Sequence, residues 1–261
     1  MKYLNLGCGN HYHPDWLNID LVSTGPGVMA HDLSKGIPLP AASCDVVYHS
    51  HVLEHIPPAQ APGFMRECAR VLKPGGILRV AVPDLETICR LYLEKLEGAL
   101  GGNAASAHDY EWMVIEMYDQ AVREHWQSRM WAHFQTSPLP NEAFVRSRIG
   151  RFAEPPPKVI ARNPLRAMAK WLVDRISWWK PVRAQMIGRF RLSGVIHQWM
   201  YDRYSLGQLM IKAGFENPTR QSATSSLIQN WENFHLDTLK EGAVYKPDSL
   251  FMEAVRPRLL H

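Results

Sequence analysis

The stretch that decides the fold is residues 4–9, Leu-Asn-Leu-Gly-Cys-Gly, in which a short apolar strand runs into two closely spaced glycines. Glycine has no Cβ, so Gly7 and Gly9 can adopt positive φ and let the backbone approach a ligand closely. A Gly-x-Gly loop after a strand is therefore a candidate cofactor loop, although a simple turn uses the same residues. The residues that follow decide between these two interpretations.

Strands and helices alternate along the first 90 residues. Strands are predicted at 3–6, 16–21, 44–49 and 77–82. Apolar residues at helical spacing predict a helix over 58–72, which ends before Lys-Pro-Gly-Gly at 73–76 because proline cannot continue it. The alternation predicts an α/β fold with a mostly parallel sheet and helices on both faces. Ligands of such sheets bind beyond the carboxyl ends of the strands.

The alternating pattern is interrupted between residues 95 and 198 and then returns. Ser205 is a candidate cap for a helix that begins the second part. Two strands are predicted after this helix, near 219–224 and at 249–255. We therefore expect one core made of 1–94 and 199–261, with a basic, Trp-rich helical insertion at 95–198.

The composition is that of a globular protein. With 261 residues, 46% of them hydrophobic, the chain is long enough to bury a full core. Its four cysteines are far apart and form no Cys-x-x-Cys pair, which argues against a disulfide scaffold or a cysteine zinc site. The sequence has neither an apolar leader nor a run of about 18 apolar residues, so we expect a cytoplasmic protein that does not span a membrane.

Acidic residues close the two segments that follow the glycine loop. Asp20 ends Leu-Asn-Ile-Asp at 17–20, and Asp32 follows Met-Ala-His at 29–31. A carboxylate accepts two hydroxyl hydrogen bonds at once, so Asp20 suits the ribose diol of an adenosine cofactor. Asp32 suits the amino edge of the adenine, beside the backbone amide of Leu33. Each aspartate could equally cap a turn.

Taken in order, the motifs resemble those of the class I S-adenosylmethionine-dependent methyltransferases, and the type 11 domain group most closely. The motifs are residues 4–9, Asn-Ile-Asp at 18–20, His-Asp-Leu at 31–33, His-Ser-His-Val-Leu-Glu-His-Ile at 49–56 and Arg-Val-Leu-Lys-Pro-Gly-Gly at 70–76. The resemblance is strong over 3–90 and weak over 201–257. It implies a Rossmann-like, seven-stranded sheet whose last strand is antiparallel.

The resemblance also implies the cofactor, S-adenosyl-L-methionine, and the residues that hold it. The implied cofactor residues are Asn5, Gly7, Cys8, Gly9, Asp20, Leu21, Asp32, Leu33, His49 and Ser50. For His49 and Ser50 the expected contact is made mainly by the backbone. The implied activity is methyl transfer to an oxygen or nitrogen of a small molecule, with a glycan or lipid-linked acceptor as one form of it.

Three departures from the family pattern keep a different class of function open. Asn5 stands where the family has an acid, and His11 replaces its third glycine. Only ten residues separate Gly9 from Asp20, which leaves room for a helical stub alone. The alternative is a catalytically degenerate methyltransferase fold that serves as a binding or scaffold protein in a cell-envelope pathway. A nicotinamide-dependent oxidoreductase fits less well, because it expects an acid about 20 residues after its glycine loop.

Histidines follow the first and third of these strands, at positions 11, 13, 49, 51 and 55. The fold would bring all five to one edge of the crevice. His51 and His55 are candidates for acid/base catalysis, since imidazole titrates near neutral pH. A metal site using these two with His11 or His13 is a weaker interpretation, and we predict no metal. In the third interpretation, Glu54 and His55 simply orient the turn after the strand.

Positive charge is concentrated in the insertion. Residues 146–191 hold twelve Lys/Arg against two acids, or +10, so the rest of the chain is −6 within a net charge of +4. Apolar residues at helical spacing over 162–179, with tryptophans nearby, predict an amphipathic basic helix. It either packs on the core or, over 162–183, contacts an anionic membrane surface or a lipid-linked anionic substrate at the inner face of the membrane. Nucleic acid is a less favoured partner, because no RNA-binding motif is present.

Overall fold

The computed structural model describes residues 1–136, 138–150 and 180–258, and the described chain is built on a seven-stranded sheet. The strands are β1 (Tyr3–Leu6), β2 (Leu17–Asp20), β3 (Val28–Ala30), β4 (Cys44–Ser50), β5 (Leu72–Pro83), β6 (Glu216–Gln221) and β7 (Ser249–Val255). Their order is β3-β2-β1-β4-β5-β7-β6, and β7 runs antiparallel to both of its neighbours. The predicted Rossmann-like, mostly parallel sheet with an antiparallel last strand is confirmed.

Seven helices lie in the described residues. They are α1 (Ala61–Val71), α2 (Leu85–Leu100), α3 (Ala104–Val122), α4 (Arg129–Phe134), α5 (Glu142–Ile149), α6 (Lys180–Arg191) and α7 (Arg203–Lys212). Short 3-10 turns occupy Leu33–Lys35, Leu53–His55 and Trp231–Phe234. Residues 7–16 contain turns and no helix, which confirms that the crossover from β1 to β2 is too short for a full one.

The core lies on both sides of the sheet. On one side α1 and α7 bury apolar side chains such as Met65 and Met210 against β1, β4 and β5. On the other side Trp16, Tyr48 and Trp231 pack together, with the 3-10 turn Trp231–Phe234 covering the strands. Burial of these residues supplies the main favourable term in folding.

A buried arginine holds the segment after β6 against the sheet. Arg79 on β5 is fully buried and pairs with Asp237 and Glu253, each at 2.7 Å. Its guanidinium also lies 4.3 Å from the ring centre of Trp231. A buried charge must be paired, so the segment that carries Asp237 is tied to this position. The Tyr245 amide donates to the Asp237 carbonyl at 2.9 Å, which brings Tyr245 and Lys246 to the site described below.

Several element boundaries differ from the sequence prediction. The segment that Asp32 closes contains the strand β3, which ends at Ala30, before His31 and Asp32. Residues 73–76 are part of the long strand β5 and form a register shift opposite β4, where Gly75 has φ +79°. The cap of α7 is Asp202, with Ser205 as its partner in a capping box, so the prediction of Ser205 as the cap is corrected.

The described part of the predicted insertion is helical. Its residues form a separate apolar cluster around Trp112, Met113 and Val145. The predicted boundary at residue 95 falls inside α2, which runs unbroken to Leu100. The predicted basic helix over 162–179 lies outside the described residues. None of the described helices is both long and apolar enough to cross a membrane.

Candidate functional site

The glycine loop after β1 has the backbone conformation that its sequence predicts. Gly7 and Gly9 have φ of +63° and +54°, in the left-handed region that favours glycine. A Cβ on Gly7 would lie 2.3 Å from Cγ2 of Val52, so that position also lacks room for a side chain. The Gly9 amide donates to Oδ2 of Asp20 at 2.8 Å, which holds the end of β2 against the loop. These contacts make a fixed cradle at the carboxyl ends of β1 and β2.

Two adjoining depressions surround this cradle, and eight of the ten predicted cofactor residues line them. The first, which we call the loop cavity, has a volume of about 210 Å³ and is lined in part by Asn5, Gly7, Cys8, Gly9 and Ser50. The second, the strand-edge groove, has a volume of about 230 Å³ and is lined in part by Gly7, Asp20, Leu21 and Leu33. The topology therefore brings these eight residues to one place.

The other two predicted cofactor residues have different surroundings. The Asp32 carboxylate accepts the Ser34 amide at 3.0 Å and caps the turn Leu33–Lys35. The His49 ring is fully buried against Phe64, and burial lowers its pKa to about 4. Neither residue lines the loop cavity or the strand-edge groove. The side chains of Asp32 and His49 are therefore not part of the walls that would contact a cofactor in these two depressions.

Asn5, which stands in place of the family's acid, has a structural partner. Its Nδ2 donates to Oδ1 of Asn18 at 3.1 Å in a buried pair between β1 and β2. Asn18 is oriented by its own amide nitrogen, which donates to the carbonyl oxygens of His13 and Trp16. A carboxylate at position 5 would place an acceptor opposite an acceptor. The amide is therefore matched to its neighbour.

His51 lies where the cavities meet. It lines the loop cavity, the strand-edge groove and a third space, the inner cavity, of about 370 Å³. Its φ is +54°, a conformation that a non-glycine residue keeps only when its surroundings impose it. Nδ1 lies 3.2 Å from Oε1 of Glu54, and Nε2 lies 2.8 Å from Oγ of Ser249. The imidazole is thus held from both ends.

Glu54 is a fully buried carboxylate in the wall of the inner cavity. Neither of its oxygens makes a hydrogen bond with a described residue, although Oε1 is near His51 and lies 4.0 Å from Nε2 of His55. Burial raises the pKa of Glu54, but the interaction with the His51 imidazole, 3.2 Å away, opposes burial, and the pKa is lowered to about 2. The cavity wall therefore carries a desolvated negative charge.

His55 and His197 flank this carboxylate. His55 Nδ1 donates to the Ile196 carbonyl at 2.9 Å, which directs Nε2 towards Glu54. The His197 ring is buried, with its centre 4.9 Å from that of His55. Burial lowers the pKa of both imidazoles, and that of His197 falls to about 3. Both rings are consequently neutral at pH 7.

The remaining wall of the inner cavity comes from residues that sequence reasoning missed. These are Glu116, Gln120, Met130 and Ile149 from the helices α3 to α5, His197 before α7, and Lys246 and Asp248 before β7. Oε1 of Glu116 is held by Arg148 at 2.6 Å, and burial lowers the pKa of the Lys246 ammonium. No local motif marks these positions, because they meet only after the chain has folded.

The five histidines do not share one edge as expected. His51 and His55 line the inner cavity, and His11 lines the loop cavity, where it stacks on Tyr245 at 3.8 Å between ring centres. His13 instead makes an edge contact with Phe234 at 5.3 Å and lines none of the three spaces. The expectation is corrected for His13, whose ring packs against Phe234, and for His49, whose ring is buried against Phe64.

Comparison with known proteins finds relatives that match part of the chain. Residues 22–80 match a family model described as a methyltransferase domain. A probable S-adenosylmethionine-dependent methyltransferase of Mycobacterium tuberculosis is 34% identical over 98 positions, which cover 31% of this chain and 35% of that protein. Another probable S-adenosylmethionine-dependent methyltransferase, of Mycolicibacterium smegmatis, is 49% identical over 99 positions, which cover 31% of this chain and 37% of that protein. The matched segment therefore spans little more than a third of these relatives.

Among solved structures, an S-adenosylmethionine-dependent methyltransferase of Thermotoga maritima aligns with 98% of this chain and 82% of its own. The two chains share 12% sequence identity, and the TM-score between their structures is 0.42.

Proposed function

We propose that this chain, whose residues 22–80 match a methyltransferase domain, is a class I S-adenosylmethionine-dependent methyltransferase that methylates an oxygen or nitrogen of a small acceptor. The observation that carries the proposal is the meeting of the loop cavity and the inner cavity at His51. A transfer enzyme needs a donor site and an acceptor site whose reacting atoms come into contact. The loop cavity and the inner cavity share the wall residues His51 and Lys246, so a donor in one can lie next to an acceptor in the other.

The described residues fit the cofactor. The positive φ of Gly7 and Gly9 brings backbone close to the loop cavity, and Asp20 places a carboxylate in the adjoining groove. When bound, the cofactor supplies a methyl group on a sulfonium: the acceptor's lone pair takes the methyl, the carbon–sulfur electron pair stays on sulfur, and the acceptor's proton is released. Gly7, Gly9 and Asp20 would hold the cofactor.

The histidines have different places in this proposal. Sequence reasoning proposed His51 or His55 as the acid/base group, and both line the inner cavity. His51 also borders the loop cavity, and its ring is held by Glu54 and Ser249. We therefore assign acceptance of the acceptor's proton to His51. Positioning of the acceptor in the inner cavity supplies the rest of the rate enhancement.

Binding of S-adenosylhomocysteine, measured by calorimetry, tests the donor half of the proposal. We expect Asp20→Asn to weaken binding about tenfold, because an amide can accept only through one oxygen where the carboxylate offers two. Asp32→Asn is the matched control, since Asp32 lines neither depression, and its effect should stay below threefold. Absence of binding to the wild-type protein at high protein concentration would count against the proposed function.

The acceptor class rests on the basic segment. We propose a lipid-linked or otherwise anionic acceptor that approaches through residues 162–183, with the membrane surface as a partner. The described end of the basic segment, α6, packs against the residues that follow α3: Arg183 is 3.3 Å from Glu124, and Phe190 makes an edge contact with Trp126. It leads directly to Ile196 and His197 at the inner cavity. The short chain distance from α6 to His197 supports the proposal that an anionic acceptor reaches the inner cavity along this basic segment.

Co-sedimentation with vesicles tests the membrane part. We expect the protein to sediment with vesicles rich in phosphatidylglycerol and to stay in solution with phosphatidylcholine alone, because anionic lipid attracts basic segments. The double variant Arg183→Glu/Arg189→Glu should reduce sedimentation, whereas Arg90→Glu on the exposed face of α2 should not. Equal binding to neutral and anionic vesicles would exclude this partner.

A further inference from the structure

Glu54 raises a question that methyl transfer alone does not answer. Its carboxylate is completely buried, and both oxygens lack hydrogen bonds to described residues. A buried charge is costly unless it is paired with an opposite charge or coordinates a metal ion. Nδ1 of His51 lies 3.2 Å from Oε1 of Glu54, but Nε2 of the same ring contacts Ser249, so His51 gives Glu54 one contact at most.

Two imidazoles complete a set of ligands around this carboxylate. Glu54, His55 and His197 each offer one ligand atom, and these atoms all lie within 4.8 Å of one another. His55 uses Nδ1 to donate to a backbone carbonyl, which leaves Nε2 directed at Glu54. Histidines that bind metals are oriented in this way, with one ring nitrogen donating to a carbonyl or carboxylate and the other on the metal.

The two segments that carry these residues are fixed to each other. The backbone carbonyl of Glu54 accepts the amides of Gln198 at 2.6 Å and Trp199 at 3.2 Å. Together with the bond from His55 to Ile196, three hydrogen bonds join the turn Leu53–His55 to the segment before α7. The ligands therefore stand on a preformed frame and do not depend on a flexible loop.

We propose that Glu54, His55 and His197 bind one divalent transition-metal ion of the Zn²⁺ class. Two imidazole nitrogens and one carboxylate oxygen suit such ions better than Mg²⁺ or Ca²⁺, which prefer oxygen ligands. Zinc lies about 2.0–2.2 Å from these ligand types, so binding draws the three atoms together by roughly 1 Å. Rotation of the Glu54 carboxylate and the two imidazole rings accomplishes that movement.

The ion would lie in the wall of the inner cavity, where its fourth ligand comes from the cavity side. In this role, which rests on the proposed function, the fourth ligand is a hydroxyl oxygen of the acceptor. A metal-bound hydroxyl is polarised and loses its proton more readily. The substrate class that follows is a hydroxyl-bearing acceptor, so the product is a methyl ether or ester. Metal binding itself does not depend on this role.

Titration of the metal-stripped full-length protein with Co²⁺ alone, followed by visible absorption, tests the site. We expect one Co²⁺ per chain, displaced by one equivalent of Zn²⁺. Glu54→Gln and His197→Asn should each weaken Co²⁺ binding by at least about tenfold, the effect typical of losing a group at a metal site. His108→Ala, at an exposed histidine on α3, is the matched control and should leave the affinity unchanged.

The outcomes separate this proposal from the proposed function. The proposal is overturned if Co²⁺ does not bind with 1:1 stoichiometry, if both cavity variants keep wild-type affinity, or if Mg²⁺ competes as well as Zn²⁺. Circular dichroism of each variant shows that it is folded, and a variant that unfolds is replaced by His55→Asn. S-adenosylhomocysteine binding is measured on the same samples. Metal binding without cofactor binding supports the metal site and contradicts the proposed function. Cofactor binding without metal binding supports the proposed function and contradicts the metal site.

Discussion

The loop cavity and the inner cavity are built in different ways. Most of the loop cavity comes from residues 5–11 and the end of β4, and its key contacts are made by backbone: positive φ at Gly7 and a Gly9 amide bonded to Asp20. The inner cavity is built from side chains of segments separated by nearly 200 positions, from His51 to Asp248. In the proposed function, donor recognition would therefore rest mainly on one local loop, whereas acceptor recognition would depend on the whole fold.

The largest effect is expected where the inner cavity depends on a buried ion pair. Glu116→Ala removes the partner of Arg148, whose side chain is 8% exposed, and leaves that guanidinium buried without its carboxylate. We expect a loss of about 3–5 kcal/mol in the free energy of unfolding, measured by urea denaturation. S-adenosylhomocysteine affinity of the folded protein should stay within threefold, because the loop cavity is built elsewhere. An equal loss of cofactor affinity would show that the two cavities are not independent.

Adding a single methyl group at Gly7 should distort the loop cavity and weaken cofactor binding. Gly7→Ala places a side chain at positive φ and within 2.3 Å of Val52, so the loop must move. We expect S-adenosylhomocysteine affinity, measured by calorimetry, to fall about 100-fold, which is about 2.7 kcal/mol. Gly9→Ala is the matched control, because its Cβ would meet no atom within 4 Å and it carries only the backbone cost. If Gly9→Ala were the more damaging, contact with Val52 would not be the cause.

Placing the family's acid at position 5 tests whether the Asn5–Asn18 pair stabilises the loop cavity. Asn5→Asp would bring a carboxylate against Oδ1 of Asn18 in a buried position. We expect the free energy of unfolding to fall by about 1–3 kcal/mol, the cost of an unsatisfied buried polar group. The double variant Asn5→Asp/Asn18→Ser should recover part of this loss. A thermal melt in which Asn5→Asp matches the wild type would contradict the acceptor–acceptor argument.

The smallest effect is expected at the cap of α7, directly after the segment that carries His197. The Asp202 carboxylate accepts hydrogen bonds from the backbone amides of Tyr204 and Ser205. The hydrogen bond from the Ser205 amide is the main cause of the lowered pKa of Asp202. Asp202→Ala should cost about 1 kcal/mol of stability at pH 7. Because the folded pKa is lowered, this contribution is present at neutral pH and is lost as the pH falls below about 4.

Asp202→Asn is the control for that titration, since asparagine caps without ionising. Its stability relative to the wild type should therefore improve as the pH is lowered from 5 to 2, as followed by urea denaturation at each pH. A pH-independent difference between the two proteins would rule out the ionised carboxylate as the cap.

Local patterns predicted much of this protein. The alternation of strands and helices, the glycine loop and Asp20 at the end of β2 are properties of short segments, and the carboxyl ends of parallel strands must meet at one edge of the sheet. Eight of the predicted cofactor residues come together there for that reason.

The tertiary structure alone decided which side chains share the inner cavity. Sequence spacing can place His51 and His55 near Glu54, but nothing local brings His197 or Lys246 to the same wall. Nor does spacing indicate that His49 is buried against Phe64, or that Asn5 is matched to Asn18. The physical reason is that backbone conformation is set largely by neighbours along the chain, whereas side-chain burial and pairing are set by packing between segments that are distant in sequence.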